Sequence, residues 1–180
     1  MTKKLWQKSA ILGGKSQEYR YHLARQCSGQ IQKLEHPEQE LKMSFLLVVM
    51  LNPSTADAEK DDNTITRLMN FARRHGFERL EVVNLFALRT SKPSELDKNP
   101  NPAGEDNPKW VEGRLKQASK ILLAYGTNSL SSPYSAILKD QLKALGLVEK
   151  VYCFRKNKDG NPTHPSRHMT DSSTLIQFNL

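Results

Sequence analysis

FLLVVMLNPSTAD, residues 45 to 57, decides the fold. Its first part, Phe45 to Leu51, is continuously apolar, with none of the alternation of a strand that has one wet face. A strand of this kind is buried on both sides, as in a parallel sheet covered by helices above and below. The run ends at Asn52-Pro53, where proline fixes the backbone and the chain turns. Three further runs share the pattern: Leu80 to Phe86, Ile121 to Tyr125 before Gly126, and Val151 to Phe154.

Helical periodicity fills the gaps between these runs. Ile65, Leu68, Met69 and Ala72 recur at helical spacing, with Asp62, Asn63 and Thr64 as candidate caps and Gly76 as a stop. A second helix is expected from about Asp106 to Ala118 and a third from about Pro133 to Gly146. Strand and helix thus alternate through residues 45 to 154. This predicts an α/β fold, a three-layer α/β/α arrangement around a central parallel sheet of about four strands. Tyr19, Tyr21 and Leu23 alternate with Arg20, His22 and Ala24, which suits a half-exposed strand. The chain reads as a single domain over 1–180, with 1–44 as an N-terminal extension carrying that strand and 45–180 as the core. Ser91 to Pro108, rich in Pro, Asn and Lys, reads as a long loop.

With 37% hydrophobic and 26% charged residues, the 180-residue chain has the composition of a globular domain. No stretch approaches the length of a membrane helix, and Met1 to Ser9 lack the apolar segment of an export signal, so a cytoplasmic protein without membrane contact is expected. Cys27 and Cys153 are far apart and lack zinc-ligand spacing, which argues for two reduced structural thiols and against a metal site. Asp57, Glu59, Asp61 and Asp62 have no local histidine, and Asp61 and Asp62 are accounted for by the dipole of the helix they precede. No cofactor is expected. A formal net charge of +8 is compatible with a polyanionic partner, though the basic residues are dispersed.

In an open parallel sheet ligands bind beyond the carboxyl ends of the strands, and four polar sets fall there. Asn52, Pro53, Ser54 and Thr55 form either a ligand-binding turn or simply a stiff one. Asn84, inside an apolar run, must bond to the neighbouring loop or read a ligand, since a buried amide left unpaired costs about 1–3 kcal/mol. Tyr125 and Gly126 offer a stacking ring and close backbone approach, or else core and a helix-starting turn. His164 and Ser166 lie in a proline-stiffened loop, where the imidazole can stabilise a developing negative charge or be an incidental surface group. Arg89, Lys156 and Arg167 follow predicted strands and are the candidate phosphate contacts.

The stretches MLNPSTADAEKDDNTITRLMNFARRHGF, VVNLFALRTSKPSEL and NKDGNPTHP resemble a bacterial and phage family that carries only a domain-of-unknown-function label. More distantly, the order of motifs resembles the uracil-DNA glycosylase superfamily. Asn52-Pro53 resembles the Asn-Pro of its mismatch-specific branch, whose Asn positions the attacking water. Val83-Asn84-Leu85 resembles the second motif and Leu122 to Asn128 the strand-aromatic-glycine motif. His164-Pro165-Ser166 resembles the terminal loop that supports the departing base. The chain departs from that pattern at Met50-Leu51, where a glycine is usual, and at Arg167, where a proline is usual. The resemblance implies a nucleobase or nucleotide pocket of altered chemistry, with nucleic acid or a nucleotide as partner. It leaves open a glycosylase-like hydrolase of modified or mismatched bases, a non-catalytic binding module, and a small-molecule hydrolase or transferase.

Overall fold

A computed structural model describes residues 6–27, 29–127, 131–170 and 173–180, with only the backbone described at Ser131, Ser132, Arg167 and His168. Two strands, β1 (Gln7–Gly13) and β2 (Tyr19–Gln26), precede β3 (Phe45–Met50). Helix α1 (Asn63–Arg74) leads to β4 (Arg79–Asn84), α2 (Asn107–Gln117) to β5 (Lys120–Leu123), and α3 (Ser131–Ala144) to β6 (Val151–Cys153). The short α4 (Pro165–His168) and β7 (Ile176–Gln177) follow.

The fold is α/β, with one mixed seven-stranded sheet in the order β1-β2-β4-β3-β5-β6-β7. The four apolar runs of the sequence are its parallel middle, β4-β3-β5-β6. The expected count of about four strands therefore falls short. β2 pairs antiparallel with both β1 and β4, and β7 pairs antiparallel with β6. β1 and β7 escaped a reading based on apolar runs because edge strands meet solvent and need no such run.

β3 is buried along its whole length. Phe45, Leu47 and Val49 face a core completed by Val111 and Leu115 of α2 and by Leu138 and Leu142 of α3. Leu46, Val48 and Met50 face the opposite core, where Ile65, Leu68, Met69, Phe71 and Ala72 of α1 pack. α1 begins where Asp62 Oδ1 accepts the Ile65 N–H at 2.9 Å. It ends at Gly76, whose φ of 79° suits a residue without a side chain. Within the long loop Pro93–Lys98 forms a 3-10 turn. The loop's far end is tied to β4 by Asn107 Nδ2, which donates to the carbonyls of Asn84 and Leu85 at 2.9 and 3.2 Å.

β2 corrects a second expectation. Every residue from Arg20 to Gln26 is buried, so its polar alternation marks buried charge and not a wet face. At the centre of one buried cluster, Glu81 accepts from Arg79 Nε and Arg114 Nε, each at 2.7 Å. His22 Nε2 lies 3.1 Å from Glu81, close in distance but outside hydrogen-bond geometry. Arg79 also donates to Gln26 and to the Gln32 carbonyl, and Arg114 to the carbonyls of Pro37 and Gln39. Residues 32–39, β2, β4 and α2 are thereby joined through one carboxylate. Burial works against ionisation of Glu81, yet the positive groups around it, with His22 when protonated and the two guanidiniums, hold its carboxyl below the ordinary range.

Glu81→Gln would strand two buried guanidiniums and should cost about 3–5 kcal/mol, read as a lower urea midpoint; a loss below ~1 kcal/mol would show the cluster to be incidental. The pH dependence has a definite sign. A carboxyl held low in the folded state gives its full stabilisation above its unfolded pKa and loses it as pH falls through that value towards the folded one. Melting temperature should therefore fall on acidification below the ordinary carboxylate range, and less steeply in Glu81→Gln than in the wild type.

Candidate functional site

From β3 the chain crosses to β4 through α1 on one face, and from β5 it crosses to β6 through α3 on the other. The loops leaving the adjacent strands β3 and β5 thus diverge and open a crevice at their carboxyl ends. A cavity of ≈ 380 Å³ occupies it, walled by Leu51 and Asn52 after β3 and by Tyr125, Gly126 and Thr127 after β5. Pro93 of the long loop and Asn157, His164 and Ser166 after β6 complete it. A second cavity of ≈ 350 Å³ shares Asn52, Pro93, His164 and Ser166 and continues to Arg20, Ser54, Asp62 and Thr64. A third, of ≈ 490 Å³, extends past Ser54 and Thr55 to Arg89. The first two have the volume of a small-ligand site.

Asn52 is half-buried and its orientation is fixed by its partners. Its Nδ2 donates to the carbonyls of Thr90 at 2.8 Å and Pro53 at 2.9 Å. Because both partners are acceptors, the amide group must point at them, and the carboxamide turns its acceptor Oδ1 away. That oxygen has no hydrogen bond among the described residues. Pro53 is itself buried, and its carbonyl accepts the Thr90 N–H at 2.9 Å. The turn after β3 and the start of the long loop are therefore held as one unit.

His164 caps α4. The Ser166 N–H donates to its Nδ1 at 3.2 Å, and the Ser166 Oγ lies 2.8 Å from the same nitrogen. A nitrogen that accepts from a backbone amide carries no proton, so the neutral imidazole keeps its hydrogen on Nε2. The His164 ring and Asn52 line both cavities together. Gly126, with φ of 74°, lets this loop close in: a Cβ there would lie 3.4 Å from His164 Cβ. Asn157 Nδ2 donates to Thr127 Oγ1 at 3.0 Å and joins the loops after β5 and β6.

Other candidates are placed differently. Tyr125 bounds the cavity but is only 1% exposed, so its ring belongs to the core and offers almost no face for stacking. Its hydroxyl is buried near Ser135, short of strict hydrogen-bond geometry, and burial pushes its pKa up to about 12. Asn84 lines none of these three cavities. It is buried beneath them, and its Oδ1 accepts from Arg20 Nη2 at 3.2 Å. Arg89 Nη2 lies 3.6 Å from Asp57, and its Nη1 donates to the Gln17 carbonyl. Lys156 lines none of these three cavities, and its Nζ lies 4.7 Å over the Phe178 ring. The side chain of Arg167 lies outside the described residues.

Arg20, Pro93 and Asn157 were not singled out from sequence. Arg20 carried a signal, a charged residue beside residues that suit a strand, but polar alternation reads more simply as exposure. Asp62 acts as the helix cap, whereas Asp61 is engaged by Arg25 at 2.6 Å and Lys8 at 2.8 Å. Among the described residues no three His, Cys, Asp or Glu side chains gather as a metal site, and no helix is long and apolar enough to cross a membrane. Cys27 and Cys153 are both free thiols.

Neither the curated proteins nor the solved structures yield a match to this chain. A family model does match, and its span starts at Arg20, in the wall of the second cavity, and stops at Ser166, in the walls of the first two. With the connected crevice framed by that span of residues 20–166, the chain belongs to the family described as Protein of unknown function (DUF1643).

Proposed function

We propose that the crevice receives a nucleobase, carried by DNA or by a nucleotide, and that the protein is a glycosylase-like hydrolase of modified or mismatched bases. One observation carries the reading: a carboxamide locked with only its acceptor available and an imidazole whose neutral form donates from Nε2 wall the same cavity. Hydrolysis of a glycosidic bond needs those two functions. Asn52 Oδ1 accepts from and orients a water, and the His164 Nε2–H donates to the base as negative charge gathers on it. Asparagine is no base at neutral pH, so its contribution is orientation. The helices on both faces of the sheet and the motif order support a three-layer, uracil-DNA glycosylase-like architecture. For a duplex substrate the base must also be extruded, at a cost of a few kcal/mol.

A second reading has its own support. Among the described residues the first cavity is lined without a carboxylate, so a strong general base is lacking. That composition favours a binding module that recognises a base without cleaving it.

Asn52→Ala should leave the circular dichroism spectrum unchanged and cut base release from a panel of modified-base oligonucleotides and nucleosides by at least ~100-fold. Release at the wild-type rate would remove Asn52 from the chemistry. Wild-type binding across the panel with no release would establish the binding module instead. Asn52→Asp places a carboxylate against the carbonyls of Pro53 and Thr90, so its melting temperature should fall below that of Asn52→Ala.

A further inference from the structure

The wall of the second cavity carries a buried cation, Arg20, whose charge Asp62 and Asp57 offset only through space. Arg20 is 2% exposed, and the guanidinium has five N–H groups. Among the described residues two find acceptors: Nη1 donates to the Ala56 carbonyl at 2.7 Å and Nη2 to Asn84 Oδ1 at 3.2 Å. Its Nε is buried and has no hydrogen-bond partner among those residues. The other large buried arginines, Arg25, Arg79 and Arg114, each touch a carboxylate at 2.6–2.7 Å. Arg20 makes no such ion pair among the described residues. Burial lowers its pKa to about 9, which still leaves it a cation at neutral pH.

An independent source of positive potential meets it there. Asn63, Thr64 and Ile65, the first residues of the twelve-residue helix α1, line the same cavity. The Ile65 N–H is taken by Asp62, but the amides of Asn63 and Thr64 have no acceptor among the described residues. Such amides, with the helix dipole behind them, attract anions. Asp62 stands at the same mouth, and its Oδ1 is engaged by the helix it caps. The hydroxyls of Ser54 and Ser91 add neutral donors on the cavity wall.

We infer that the second cavity is a phosphate subsite, in which the Arg20 guanidinium and the N-terminus of α1 hold a phosphomonoester or phosphodiester of the ligand. Asn84 is then a positioning residue. It holds Arg20 at the cavity floor while Asn107 holds the backbone of Asn84. The walls shared with the first cavity, Asn52 and His164, place the phosphate beside whatever occupies that cavity. The subsite stands on its own observations and survives if the first cavity takes something other than a base.

The test uses the intact wild-type chain, labelled with nitrogen-15, and inorganic phosphate at constant ionic strength with chloride as the control. Phosphate, and not chloride, should shift the Arg20 Nε–H and Thr64 amide resonances in a saturable way. Thr64→Glu brings a competing carboxylate to a helix position where carboxylates are favoured, so it should melt no lower than the wild type and bind phosphate at least ~10-fold more weakly. Resonances that stay still, or Thr64→Glu binding phosphate as the wild type does, would overturn the subsite. Displacement of phosphate by a nucleoside 5′-monophosphate marks the ligand as a phosphomonoester, and displacement by a single-stranded oligonucleotide without terminal phosphates marks it as a phosphodiester. Failure of both to displace it would overturn the assignment to a ligand phosphate. Nucleosides, which carry no phosphate, test the first cavity separately through the Gly126 amide.

Discussion

Complete burial of β3 constrains the rest of the molecule. A strand with apolar side chains on both faces and hydrogen-bonded neighbours on both edges must be the middle of something, and its polar groups can emerge only at its ends. Helices are needed on each side to cover it, so the chain must cross the sheet in both directions. That crossing parts the loops after β3 and β5. The crevice is accordingly a by-product of covering one apolar strand, and Asn52 stands at the first point beyond it where a polar side chain is tolerated.

The central sheet was legible because it depends on residues close together in sequence. Apolar runs, helical spacing, Asp62 as a cap and Gly76 as a stop are all local signals. β2 was misread for the opposite reason. His22 and Arg20 look like the wet side of a strand until Glu81, Asn84 and Ala56 come into contact with them, and those partners are 36 to 64 residues away. Burial of a charge is a statement about its partner, and a single stretch of sequence does not contain the partner.

The site divides along the same line. Asn52, Gly126, His164 and Ser166 follow strands and sit among turn-forming residues, so position alone nominated them. Pro93 and Asn157 line the cavity because a loop folds back over it, and no local pattern announces that return. Lys156 was nominated by its place after a strand, and the contact the fold gives its ammonium, the face of an aromatic ring distant in sequence, has no local signal.

The buried arginines also change how the molecule meets its surroundings. Four of them, Arg20, Arg25, Arg79 and Arg114, lie in the interior, where among the described residues Glu81 is the one buried carboxylate, so positive charge is in surplus inside the fold. The far field of a net charge does not depend on its burial, but burial withdraws these guanidiniums from direct contact with a polyanion at the surface. Beside the crevice, the Arg20 guanidinium sits in a wall of lower dielectric than water, where a charge is screened less than it would be at the surface.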